Sequence, residues 1–361
     1  MTNREKEILK WVEENPLISQ SELAEKANIT RSSVAVHISN LIKKGKIIGK
    51  GYILQKNFYI SILGGTNIDI AGVPKSILKE HDSNPGNIYF SLGGVGRNIA
   101  DNLARLDQDV ELLTVLGDDI YGDEIKKNCR ELGIGITHAL TVPNSSTSTY
   151  LFILDENKDM KLAISSMDLY EKMDINYIKS KQDIIEKSKL CIVDTNLPVE
   201  TLLYVVENFN IPIFVDCVST TKAEKIKDFI GKFHTIKPNK LEAETLSGIK
   251  INNDEDLIEV SKYFISKGVS QVFISLGKDG VFYANRETSG KIPAFKANIL
   301  NATGAGDAFM AGIAYSFIND ENIVESCKNG IAAATIAISS EETISKNMNI
   351  DNLLYIKEEN K

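Results

Sequence analysis

From Phe58 onward, short apolar runs recur between helical stretches, and this rhythm restricts the fold more than any other feature. The runs are Tyr59-Ile60-Ser61-Ile62-Leu63, Val110-Glu111-Leu112-Leu113-Thr114-Val115-Leu116, Leu190-Cys191-Ile192-Val193-Asp194, Ile213-Phe214-Val215-Asp216, His234-Thr235-Ile236-Lys237 and Val272-Phe273-Ile274-Ser275. Runs this apolar suit strands buried on both faces, which calls for helices above and below a doubly wound, mainly parallel sheet. Two segments instead alternate with period two: Asn87-Ile88-Tyr89-Phe90-Ser91, and Thr149 to Leu154 with Lys161 to Ile164. They predict a small antiparallel sheet, a lid over the site drawn from about 70–92 and 145–166.

The first 56 residues follow another pattern. Ile8, Leu9, Trp11 and Val12 form a helical apolar stripe that Pro16 ends. Ser19 with Glu22 reads as a capping box for a second helix, and Thr30 caps a third from Arg31 to about Lys43. Lys44 to Leu54 reads as a two-stranded hairpin, so the segment is a winged helix-turn-helix domain (1–56) ahead of a large α/β domain (57–361). Ten Lys/Arg against six Asp/Glu make the head basic, whereas the rest carries 31 against 43. That asymmetry suggests partners of different chemistry. Arg31, Ser32, Ser33 and His37 on the third helix, with Lys46 and Lys50 on the wing, are the candidates for DNA contact; a docking or oligomerisation role for the head is the alternative. With no run of eighteen apolar residues, no leader-like N-terminus and four widely spaced cysteines (Cys129, Cys191, Cys217, Cys327), the expectation is a cytoplasmic protein with free thiols and no membrane partner.

The strongest chemical signal is Ala302-Thr303-Gly304-Ala305-Gly306-Asp307, which leads into an apolar helix. Backbone N–H groups at such a turn, reinforced by the helix dipole, stabilise an anion. A carboxylate among them is placed to take a proton from a hydroxyl that attacks phosphorus. The same residues would also serve if Asp307 did no more than cap its own helix. The chain has no Gly-x4-Gly-Lys-Ser/Thr, so a Walker-type loop is excluded.

Four motifs in order resemble the ribokinase-like (PfkB) family of carbohydrate kinases: Gly93-Gly94-Val95-Gly96-Arg97-Asn98, Asn239-Lys240-Leu241-Glu242, Ser275-Leu276-Gly277-Lys278-Asp279-Gly280, and the turn ending at Asp307. The resemblance spans about Phe58 to Asn347. It implies phosphoryl transfer from ATP with Mg²⁺, Asp307 as general base, and Gly304, Ala305 and Gly306 presenting N–H groups to the migrating phosphoryl. It places Asn67, Asp69, Gly93, Gly94 and Asn98 at the sugar. It assigns Asn239 and Glu242 to Mg²⁺ through water, and Asn239, Ser275, Gly277, Gly280, Thr303, Asn329 and Ala333 to the nucleotide, with Asn329 and Ala333 lining the adenine pocket.

Within the family the resemblance is to the pseudouridine kinases, through Ser83-Asn84-Pro85-Gly86 and Arg97, where other members carry a small residue. It implies the 5′-hydroxyl of pseudouridine as acceptor. Arg97 then contacts substrate or holds the lid, unless it is simply an exposed helix arginine. Ser148, Thr149 and Asn196 are candidates for base contacts, and Asp216 for support behind the site. Asn301 stands where many members have an acidic residue in a monovalent-cation loop, which weakens the case for potassium. The lid's apolar face suggests a homodimer. The competing readings are a kinase for another nucleoside or a pentose such as ribose, and a transcriptional regulator that uses a kinase-like body as ligand sensor.

Overall fold

The structure, a computed structural model, describes residues 1–47, 58–155, 157 and 159–360. It falls into two compact units, Met1–Asn57 and Phe58–Lys361.

In the first unit, α1 (Asn3–Glu14), α2 (Gln20–Ala27) and α3 (Arg31–Lys43) start where local chemistry starts them. Thr2 with Glu5 and Ser19 with Glu22 form reciprocal capping boxes, and the Thr30 hydroxyl accepts the N–H of Ser33. Asn28 takes a left-handed φ of 50° to end α2, a conformation asparagine tolerates. The first helix begins at Asn3, because Thr2 is its cap. Ile8, Val12, Leu23, Val34, Ile38 and Leu41 close the core, and Ile47 joins it. Lys44 donates to the buried Glu5 carboxylate at 2.7 Å; that bond and the capping N–H hold Glu5 below the usual glutamate range. The expected wing hairpin lies, past Ile47, outside the described residues, and Lys50 with it.

The second unit is built on an eight-stranded sheet. Its strands in chain order are β1 (Ile60–Leu63), then the lid strands β2 (Asn67–Pro74) and β3 (Gly86–Gly93), then β4 (Val110–Leu113). A short parallel pair β5 (Val115–Gly117) and β6 (Leu140–Val142) follows, then the lid strands β7 (Thr149–Leu154) and β8 (Met160–Ser166). The main sheet continues with β9 (Leu190–Asp194), β10 (Ile213–Asp216), β11 (Thr235–Ile236), β12 (Gln271–Ser275), β13 (Val281–Ala284) and β14 (Ser289–Ile292). The order is β14-β13-β12-β11-β10-β9-β1-β4, parallel from β12 to β4 and antiparallel at the β13 and β14 edge. Successive strand residues feed two separate cores: Leu190 and Ile192 join one, Cys191 and Val193 the other. Both faces are therefore covered, as the apolar runs require. All four cysteines are buried and free.

Strand order reverses at β1, between β4 and β9, and a crevice at the carboxyl ends of such strands is where ligands bind in this class of sheet. The lid forms a second sheet, β3-β2-β7-β8. Its register aligns Ile70 with Phe90 and Leu151, and Leu151 with Ile164, so one face is an apolar row; Asp69 aligns with Ser91 and Tyr150 on the other. The lid thus starts at Asn67, earlier than the residue near 70 expected from alternation, because Asn67 and Asp69 are strand residues of its polar face.

We predict that Thr30→Ala lowers the stability of the first unit by about 1 kcal/mol. Hydrogen exchange on the full chain should show reduced protection of α3 amides, with β-sheet amides of the second unit unchanged.

Candidate active site

Two glycines, Gly64 and Gly65, follow β1, and the carboxyl group that ends the neighbouring strand β9 receives the N–H of the second. The Asp194 carboxylate accepts the N–H of Gly65 at 2.7 Å and that of Gly96 at 3.1 Å. It thereby ties the β1 turn to the first turn of α4 (Val95–Arg105). The crossing is too close for side chains: a Cβ on Gly96 would lie 2.7 Å from Gly64, and one on Gly94, at φ 95°, would overlap the Gly65 carbonyl. Burial pushes Asp194 up to about 6, against the pull of the Gly65 and Asn196 N–H groups. No sequence motif marked Asp194; its signal was an acidic residue closing an apolar strand at the carboxyl edge.

On the lid side, Asn67 Nδ2 donates to Asp69 Oδ1 at 2.7 Å. Gly93 lies opposite Asn67, and a side chain there would overlap the Asp69 carboxylate. Burial holds Asp69 above its ordinary value, opposed by the Asn67 hydrogen bond and by Arg97. A carboxylate and amide fixed side by side suit two neighbouring hydroxyls, since the carboxylate accepts from both.

Arg97 is buried, not an exposed helix residue. Its guanidinium pairs with Asp101 at 2.6 Å and donates to Asn128 at 2.9 Å and to the Leu92 carbonyl at 3.1 Å. It therefore braces α4 against the end of lid strand β3 and against α5 (Ile120–Glu131).

Asn98, one turn into α4, donates from Nδ2 to Asp307 Oδ2 at 2.8 Å. Asp307 stands in the first turn of the helix Ala305–Ile318, whose cap Gly304 has φ 81° with its α-hydrogen face against the Thr343 carbonyl. The helix after the lid strand and the helix after the glycine turn thus meet at one carboxyl group. Burial and the nearby Asp216 push Asp307 up to about 8, against the Asn98 hydrogen bond and Lys237. Asp216 ends β10, and the Lys237 ammonium, just past β11, lies 3.1 Å from its Oδ2. Burial would lower the Lys237 ammonium, and Asp216 with Glu242 and Asp307 overcomes it, holding the group above the ordinary lysine value.

Asn239 and Glu242 form a capping box at the helix Lys240–Ser247: Asn239 Oδ1 accepts the Glu242 N–H at 2.9 Å, and Glu242 Oε2 accepts the Asn239 N–H at 2.8 Å. Burial keeps Glu242 above its usual value. Each keeps acceptor capacity beyond the cap, and oxygen donors of this kind fit a hydrated Mg²⁺. Among the described residues no cluster of three or more His, Cys, Asp or Glu could cage a metal without other ligands.

A cavity of about 560 Å³ opens beside the glycine turn, lined by Lys237, Ser275, Gly277, Gly280, Ala305 and Gly306 together with the apolar Phe295, Phe309, Ile331 and Ile338. Gly277 and Gly280 both have positive φ, a conformation glycine adopts most readily. Asn239 faces a second cavity of about 400 Å³ that shares Ser275 and Gly277.

Several expected residues lie elsewhere. Asn329 is fully buried and donates to Ser316 and Glu321, and Ala333 packs into an apolar cluster with Ala332 and Ala337; Ile331, Ala334, Thr335 and Ile338 line the cavity in their place. Thr303 is exposed and outside that lining, its N–H bonded to Asn301 Oδ1 at 2.9 Å. Thr149 aligns with Ile68 on the opposite face of the lid from Asp69, and its hydroxyl donates to the Thr147 carbonyl. Ser148 is buried. It lies beside Tyr170, whose hydroxyl burial holds well above the ordinary tyrosine value. Asn196 is close to Gly65 and accepts from Lys222 Nζ at 2.5 Å, a lysine that sequence reasoning missed. In the head, Arg31, Ser32 and Lys46 are exposed, while Ser33 and His37 are half-buried, with His37 Nδ1 in the interior.

A buried carboxyl group in the first turn of a helix, an adjacent amide–carboxylate pair and a glycine-walled cavity on an α/β sheet are the arrangement expected of a small-molecule phosphotransferase. The chain belongs to the pfkB family of carbohydrate kinases, whose model matches residues 57–350, and a winged helix-turn-helix DNA-binding model matches residues 1–48. It is 38% identical over 358 residues to the uncharacterized sugar kinase YeiI of Escherichia coli K12, with 99% of each chain covered. It is also 38% identical over 307 residues to the pseudouridine kinase of the same organism, covering 84% of this chain and 98% of that one. A crystal structure of a Clostridium perfringens protein superposes with a TM-score of 0.78 at 37% identity, covering 84% of this chain and 97% of the other. The fold is the ribokinase-like α/β fold, and the chain is a sugar or nucleoside kinase of this family.

Gly93→Ala should force the Asp69 carboxylate out of place. Its KM for the acceptor is expected to rise about tenfold, equivalent to about 1.4 kcal/mol, with the KM for ATP within twofold and the near-UV circular dichroism unchanged.

Proposed function

We propose that the protein transfers the γ-phosphoryl group of ATP to the 5′-hydroxyl of pseudouridine, with Asp307 as general base. The observation that carries the chemistry is the Asn98–Asp307 hydrogen bond, which ties the carboxyl group of the glycine-turn helix to α4, the helix that follows lid strand β3. The 38% identity to a pseudouridine kinase across 98% of its length supports the acceptor. Equal identity to a sugar kinase of unassigned substrate makes the substrate panel below the deciding test.

In this reading Asn67 and Asp69 hold the ribose hydroxyls, and Gly93 and Gly94 let backbone approach the sugar. The acceptor oxygen forms its bond to phosphorus as its proton passes to the Asp307 carboxylate. The bond from phosphorus to the bridging oxygen breaks, and its electron pair leaves with ADP. N–H groups of Gly304, Ala305 and Gly306 receive the charge of the migrating group. Asn239 and Glu242 would hold Mg²⁺ through water, and the ion would neutralise phosphate charge. Ser275, Gly277 and Gly280 bound the nucleotide's cavity. Ser148 and Asn196 are the candidates for base contacts; a buried acceptor matched to the extra ring N–H of the C-nucleoside would disfavour uridine. Arg97 acts as the lid's brace. The exposed apolar residues of the lid, Ile88, Phe90, Leu162 and Ile164, are read as the face of a homodimer. The basic head is read as a DNA-binding module through Arg31, Ser32, Ser33, His37, Lys46 and Lys50, in a cytoplasmic protein. Asn301 spends its side chain on Thr303 and on the Glu341 carbonyl, which fits independence of potassium.

With ATP and Mg²⁺, ADP release should be fastest with pseudouridine among pseudouridine, uridine, adenosine and ribose; preference for another member would overturn the acceptor assignment. Asp307→Asn should lower kcat about 10²–10⁴-fold. Only the ionised carboxylate can take the proton, so kcat/KM should fall as pH drops through about 8 and level off above it. A profile flat from pH 6 to 9 would argue against Asp307 as the base.

A further inference from the structure

A buried cation beneath the glycine turn has more donors than partners. The Lys237 side chain is 9% exposed, and its ammonium lies 3.1 Å from Asp216 Oδ2. Among the described residues this carboxylate is its one polar contact at hydrogen-bond distance. An ammonium carries three donors, and one carboxylate oxygen takes at most one of them. A buried ion pair is itself weak evidence for a role in stability, since apolar replacements of similar size often do as well. The direction in which the spare donors point is informative. The ammonium is 3.3 Å from where a Cβ on Gly306 would stand, and Lys237 lines the cavity together with Ala305 and Gly306. The first N–H groups of the helix Ala305–Ile318 have no partner within their helix, and Ala305 and Gly306 of that first turn line the same cavity as Lys237. Spare ammonium donors and spare backbone donors therefore face one small volume next to Asp307, the arrangement that suits the three oxygens of a phosphoryl group.

We propose that Lys237 is a catalytic residue that donates to the non-bridging oxygens of the phosphoryl group during transfer, with Asp216 holding it in place when that group is absent. Lys237 stays protonated throughout. The acceptor proton goes to Asp307, the new O–P bond forms, and the electron pair of the breaking P–O bond leaves on ADP. Glycine at 306 leaves the approach open, because a side chain there would press on the ammonium. The proposal rests on ATP as phosphoryl donor, as argued above, and is independent of which acceptor is used.

The test uses the full-length chain with Mg²⁺ and compares ADP with β,γ-imido-ATP by calorimetry, without acceptor, alongside turnover of the best wild-type acceptor. Lys237→Met should bind ADP within twofold of wild type, bind the imido analogue at least tenfold more weakly, and lose about 10²–10³-fold in kcat. Lys237→Arg should regain at least tenfold of that loss. Equal weakening of both nucleotides, or a kcat within threefold of wild type, would overturn the proposal. If Lys237→Met fails to fold because Asp216 is left alone, the double variant Asp216→Asn/Lys237→Met removes both charges and is held to the same outcomes. Should no acceptor on the panel react, the acceptor assignment falls while the two-nucleotide comparison still decides the role of Lys237.

Discussion

The Asp194 carboxylate, by taking the N–H groups of Gly65 and Gly96, sets how closely the end of β1 and the start of α4 can approach. Everything at the crevice is placed from that junction. Gly94 turns the lid strand β3 into α4 at the height where Gly93 leaves room for Asp69, and α4 delivers Asn98 to Asp307 one turn later. Three glycines and one buried acid make the crossing narrow, and a narrow crossing brings a lid strand, a sheet end and two helix starts together. Lengthening any of these contacts moves Asn98 relative to Asp307, and with it the proposed base relative to the acceptor.

Charge is arranged as tightly as backbone. Asp194, Asp216, Glu242 and Asp307 crowd the carboxyl ends of the strands, with Lys237 among them. Crowding and burial explain why Asp194 and Asp307 resist ionisation. The free protein is poised to accept positive charge or to give up protons when the site fills. Such groups rarely persist in a core for packing alone.

Much of this was legible in sequence. Capping chemistry at Ser19, Glu22 and Thr30 located the head's helices because each cap is a local hydrogen bond that needs no tertiary context. Alternation found β3, β7 and β8 for the same reason. Orientation and burial were the harder quantities. Thr149 was misplaced because its face depends on a parallel pairing with β2, a register no local pattern encodes. Asn329 was placed at the adenine pocket by the family resemblance alone, and its buried bonds to Ser316 and Glu321, 13 and 8 positions away, carry no local sequence signal. Lys237 stood at the end of a recognised apolar run yet drew no role, since only the fold brings its ammonium beside Gly306. Asn239 and Glu242 carried a second meaning, a capping box, that their spacing had announced.

The central claim is transfer of phosphorus from ATP to one hydroxyl of a nucleoside. Phosphorus NMR of the product, formed by full-length protein from ATP and pseudouridine, tests it most directly. The account predicts a single phosphate monoester whose phosphorus couples to the two C5′ protons. Phosphorus coupled to a ring proton of the ribose, or inorganic phosphate with the nucleoside unchanged, would contradict it.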